Sequence, residues 1–97
     1  MVREDLPQGA RVAQSVHAAV EMAVEHPREF RAWWKSSNTV VVLLAKDEER
    51  LTSIFDDAIE KNMTTVLFSE PDIGNRPTAM AVIDQGAKRL LRKLKLA

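Results

Sequence analysis

The sequence contains no cysteine. That excludes disulfides, thiolate metal sites and a cysteine nucleophile, and it fits a reducing compartment. Only three glycines occur in 97 residues, too few and too far apart to cradle a phosphate. An excess of one charge is missing too. Fourteen Lys and Arg balance fourteen Asp and Glu, so no global field draws the chain to nucleic acid or to a membrane. No apolar run is long enough to span a bilayer, and no basic start followed by an apolar stretch marks a leader. No His/Asp cluster has convincing metal-ligand spacing. A serine nucleophile has no elbow motif to support it. These absences leave a cytoplasmic protein of one domain, residues 1–97, as the expectation.

What is present agrees. A content of 45% hydrophobic and 29% charged residues is that of an ordinary globular domain, near the lower size limit for a core without staples. No repeat or low-complexity tract interrupts it. Charge is uneven only late in the chain, where Lys88, Arg89, Arg92, Lys93 and Lys95 follow Asp84 with no further acid.

Hydrophobic spacing predicts the elements. Residues 1–5 form a short extended segment, and Leu6-Pro7-Gln8-Gly9 is a turn. Residues 10–25 have helical spacing, with Val12, Val16, Ala19, Val20, Ala23 and Val24 as the apolar stripe. His17 falls at the edge of that stripe beside Ala13, and Gln14 and Glu21 lie toward the polar side. His26-Pro27 should end this helix, and residues 28–35 form a second one containing Trp33 and Trp34. Residues 39–45 are apolar and β-branched, as expected for a strand covered on both faces. Asp47 can cap a helix whose apolar face is Leu51, Ile54, Phe55, Ala58 and Ile59. Residues 64–68 follow as a strand, which predicts a right-handed parallel βαβ unit. A polar loop over residues 69–77, a strand over 78–83 and a last helix over about 85–94 complete the chain. The expected fold is α/β: about four strands in a mixed sheet with helices packed on its faces.

Residues 2–20, V-R-E-D-L-P-Q-G-A-R-V-A-Q-S-V-H-A-A-V, carry the functional signal. They resemble the start of the type 2 peptidyl-tRNA hydrolases, whose signature is close to V-R-x-D-L, a Gly/Lys-rich turn, then V-A-A-Q-x-x-H-A-A. The resemblance continues more loosely through the V-V-V-L strand, the acidic D-E-E helix start and the terminal L-K-L. It implies hydrolysis of the ester that joins a peptide to the terminal ribose of tRNA, without a cofactor. Attack by water on an acyl ester calls for a base or polarising group and for donors to the developing oxyanion.

By the same resemblance His17 polarises water or binds the terminal ribose. Read without the motif, it is a boundary histidine packed against the sheet. Arg11 stands where the family has the last lysine of its turn; it keeps the positive charge but cannot transfer a proton. Arg11 and Gln14 are expected to contact substrate. Glu70 occupies the place of the family's loop acid by strand register, with Asp72 as the competitor, and Thr78 matches the following threonine. The family's own loop threonine has no counterpart here. Trp33 and Trp34 could stack on an unpaired base, or one could fill core beneath the other. The basic run 88–95 could meet tRNA phosphates or complement a helix C-terminus. Implied partners are peptidyl-tRNA and a second copy in a homodimer, with no membrane. The alternative function is a non-catalytic module on the same fold that binds tRNA or a protein.

Overall fold

The computed structural model describes residues 1–83 and 95–96. Its elements in chain order are β1 (Val2–Arg3), α1 (Gln8–Glu25), α2 (Pro27–Ser36), β2 (Leu43–Ala45), α3 (Glu48–Glu60), β3 (Thr64–Glu70), β4 (Arg76–Ile83) and β5 (Lys95–Leu96). A 3-10 turn, Pro71–Ile73, joins β3 to β4. The strands form one mixed five-stranded sheet of order β3-β4-β1-β2-β5. This is the expected α/β fold, with a two-residue fifth strand added at the β2 edge. The helix expected at 85–94, and most of the basic run with it, lies outside the described residues.

Neighbouring parallel strands are β1 and β2, linked through α1 and α2, with Val2 opposite Leu44 and Arg3 opposite Ala45. The βαβ unit expected around α3 is therefore corrected. Strand β3 does not pair with β2 but with β4, antiparallel, and β4 and β1 lie between them. Hairpin formation explains the choice. Five residues suffice to turn β3 back on β4, with Gly74 and Asn75 in left-handed conformations at φ 75° and 59°. The loop predicted at 69–77 shrinks to this turn, because pairing runs out to Glu70 opposite Arg76.

Two small cores lie on opposite faces of the sheet. On one, Leu51, Ile54 and Ala58 of α3 pack on Ala45 and Met80. On the other, Ala18 of α1 packs with Val2, Leu44 and Ala79, and Leu6, Val42 and Phe68 border them. The covering of β2 on both faces holds for Leu43–Ala45 only; Val40 and Val41 are exposed in the preceding loop. Asp47 caps α3 as expected, its Oδ1 accepting from the Arg50 amide at 2.9 Å. Helix α2 begins with Pro27, whose fixed φ suits a first helical position. Neither tryptophan fills a core: Trp33 is half-buried and donates from Nε1 to the Thr39 carbonyl, and Trp34 is exposed.

The largest departure concerns α1. The residues that face the sheet are Gln14, Ala18 and Met22, one per turn. The valines predicted to face inward point out: Val12 is 64% exposed, Val16 56%, Val20 56% and Val24 74%. Helical period reveals that two stripes exist but not which one meets the sheet. The stripe around Ala18 does so because its small side chain lets the helix sit close over Ala79, and because Gln14 finds partners inside.

Leu51→Ala should lower unfolding free energy by about 2–5 kcal/mol, since it empties a site that cannot collapse onto water. Ile59→Ala, on the half-exposed shoulder of the same helix, should change it by no more than about 0.5 kcal/mol. Urea titrations read both.

Candidate active site

Thr78 should share a face with Met80 if β4 alternated regularly, because successive side chains in a strand point to opposite faces. It does not. Register slips between Phe68, opposite Ala79, and Ser69, opposite Pro77, so β4 carries one extra residue there. A bulge of this kind re-aims a side chain, and it turns Thr78 toward α1. Its Oγ1 donates to Gln14 Oε1 at 2.6 Å, inside the protein.

The other end of the same amide donates from Nε2 to Glu70 Oε1 at 2.9 Å. Gln14 thus joins the first half of α1, the end of β3 and the start of β4. Both amide groups are satisfied, which is what permits a glutamine only 7% exposed. Its burial corrects the expectation that Gln14 lies toward the polar side. Asp72 sits in the exposed 3-10 turn; of the two competing acids, Glu70 is the one that reaches Gln14.

His17 lies one turn beyond Gln14 on α1, where residues three apart are surface neighbours. It is exposed, and its ring stacks on Phe68 with centroids 4.8 Å apart and planes 20° from parallel. Phe68 is two residues before Glu70 on the same face of β3. His17, Gln14, Glu70 and Thr78 therefore gather at one end of the sheet. Arg11, at the same end, donates from Nε to the Leu6 carbonyl at 2.8 Å and so fixes its guanidinium over the turn. Helix α1 starts there with no side-chain cap and no acid in its first turn. Its free amides and dipole favour negative charge.

A second polar cluster braces this end from the α3 face. Arg3 is 8% exposed and grips Asp5 with two hydrogen bonds of 2.9 Å. Its Nη1 also donates to the Pro77 carbonyl at 3.1 Å and approaches Glu48 at 3.4 Å. Glu48 in turn accepts from Arg76 at 2.8 Å. The hydrogen bond from Arg3 holds the Asp5 carboxyl below the ordinary carboxylate range, and Asp5 raises Arg3 in return. Sequence reading used the V-R-x-D-L residues only as a signature. Their i, i+2 spacing on an extended segment, which puts both side chains on one face, was the available sign of a pair.

Glu21 was also missed, one turn beyond His17. Its Oε2 is buried with no hydrogen-bond partner, and burial, reinforced by Glu25, raises its carboxyl above the usual range. Among the described residues no group of three or more His, Cys, Asp or Glu is placed to hold a metal ion. No helix among them is long and apolar enough to cross a membrane.

The family model described as Peptidyl-tRNA hydrolase PTH2 matches residues 1–97, and the chain belongs to that family. Comparison with curated proteins finds no match.

Gln14→Ala should cost about 1–3 kcal/mol in urea unfolding, because it strands the buried Thr78 hydroxyl and frees Glu70 from its donor. A depressed carboxyl contributes stability above its unfolded pKa, near pH 4, and loses that contribution as pH falls through the folded value. Asp5→Asn should therefore lower stability at pH 7 while flattening its fall below about pH 4. An unchanged acid limb would show that the Arg3–Asp5 pair carries no linkage.

Proposed function

We propose that this member of the PTH2 family hydrolyses the ester of peptidyl-tRNA or of an N-blocked aminoacyl-tRNA, releasing free tRNA. The observation that carries the reading is the Gln14 amide: it holds the end of β3 and the start of β4 against the part of α1 that bears His17. In the reaction water adds to the acyl carbon, and the bond from that carbon to the ribose oxygen breaks. The water's proton leaves to a base, and the ribose oxygen regains one.

His17 is exposed and fixed in orientation by Phe68, so it can meet the water or the terminal ribose. Glu70 binds Gln14 through Oε1, which leaves Oε2 as an acceptor for His17 or for the water. Thr78 is 1% exposed and its proton is committed to Gln14. In this reading Thr78 and Gln14 are positioning residues that aim Glu70, rather than groups that touch substrate. Arg11 and the uncapped start of α1 supply positive potential for a phosphate or the oxyanion. Asp72 serves the turn. Two copies per assembly, a cytoplasmic setting and independence from cofactors belong to the same reading.

The test is deacylation of N-acetyl-aminoacyl-tRNA by the purified protein. His17→Ala should slow the reaction roughly ten- to ten-thousand-fold, the span of a lost acid–base group. Glu70→Gln should lower kcat, because it removes the carboxylate that accepts from His17 or the water. Thr78→Val should do less to kcat than either. Full activity in His17→Ala would remove that residue from the mechanism, and an inert parent protein that still binds tRNA would establish the non-catalytic module instead.

A further inference from the structure

Thr78 and Ala79 are consecutive in β4, yet both face α1: Thr78 bonds Gln14, and Ala79 packs with Ala18. Two successive residues on one face are the mark of the extra residue in the strand. Regular pairing is the competing arrangement. Counted on from Phe68 opposite Ala79, it would set Ser69 against Thr78 and Glu70 against Pro77. Thr78 would then turn to the α3 face, where Met80 packs. A slip of one residue exchanges the faces of a strand, so the same chain would present a different site in each register.

The backbone at the slip does little to choose between them. Pro77, the residue opposite Ser69, has no amide hydrogen, and the ladder loses a donor at that pair. Its carbonyl accepts instead from Arg3 Nη1 at 3.1 Å. Arg3 sits on β1 one residue beyond Val2, which stands opposite Ala79. Its Nε and Nη2 bond the two oxygens of Asp5 at 2.9 Å each, and this fork points Nη1 at β4.

That bond exists only in the bulged register. Met80 sends its amide and its carbonyl toward β1, where both meet Met1. Main-chain groups alternate between the two neighbouring strands of an antiparallel sheet. Counted back with regular alternation, Thr78 would also face β1, and Pro77 would aim its carbonyl at β3, away from Arg3. Arg3 is 8% exposed, so water is a poor substitute for the lost acceptor. The peptide group is planar, so holding the Pro77 carbonyl also fixes the direction in which the chain enters Thr78.

We infer that Arg3 is a positioning residue: it selects the bulged register of β4 and so places Thr78 against Gln14, with Asp5 orienting the guanidinium. The register depends on Arg3 whether or not the chain is a hydrolase; only the effect on catalysis rests on that reading.

Cross-strand proton contacts in NMR spectra test the register. The parent protein should show Ser69 against Pro77. Arg3→Lys, which keeps the charge but loses the planar fork, should add contacts between Ser69 and Thr78. Arg3→Met combined with Asp5→Asn removes the pair without leaving a buried charge alone, so this variant should stay folded and show the same slip. Retention of the Ser69–Pro77 contacts alone in both variants overturns the inference, and this result is read even if the parent proves inert. In the deacylation assay Arg3→Lys should lower kcat roughly five- to tenfold, as Thr78→Val should, with KM changed less than about twofold. Adding Thr78→Val to Arg3→Lys should lower kcat little further, because both changes break one linkage through Gln14. Fully additive losses, or an undiminished kcat in a variant whose register has slipped, overturn the positioning role.

Discussion

One primary amide holds the candidate site of this molecule together. Gln14 spends its oxygen on Thr78 and its nitrogen on Glu70, residues 64 and 56 positions away in the chain. Three elements that share no backbone hydrogen bonds with one another, other than the β3–β4 ladder, meet at that side chain. A buried glutamine is tolerable only when both ends are satisfied, so the helix, the hairpin and the bulge have to be right together. The amide thereby does two things at once. It fixes the rotation of α1 on the sheet, and it aims a carboxylate.

That rotation is where the sequence and the fold part company. The valine stripe of α1 is the more hydrophobic of its two faces, and a periodicity argument sends it inward. What reversed the order is tertiary: Ala18 allows close approach to Ala79, and Gln14 has partners that a linear reading cannot supply. Elements with local causes were legible. Pro27 opens α2, Asp47 caps α3, and the series Leu51, Ile54 and Ala58 faces the sheet as its spacing required. Strand partners were less so, because the order β3-β4-β1-β2-β5 follows from a tight hairpin and not from proximity of β2 and β3 in the chain.

The candidate residues were legible one by one, but not the contacts that join them. His17, Glu70 and Thr78 were identified through a resemblance, and the structure gathers them at one end of the sheet. The placement of Thr78 depends on a single extra residue in β4. Without the bulge opposite Phe68–Ser69, Thr78 would face α3 and the Arg3 cluster instead of Gln14. Arg3 and Asp5 show the converse. Their pairing needs only an extended segment, but its importance shows only once Pro77 and Glu48 arrive from distant parts of the chain.

These contacts have a kinetic meaning. The bonds from Gln14 to Thr78 and from Arg3 to Pro77 close loops of 64 and 74 residues, most of the chain. Contacts between such distant positions are costly in entropy until the intervening elements are in place, so they form late in folding. No collapsed intermediate with α1 and α3 already helical would yet possess the site. Closure of these two contacts is thus a reporter of the final folding step, and a refolding time course followed through them should trail one followed through helix content.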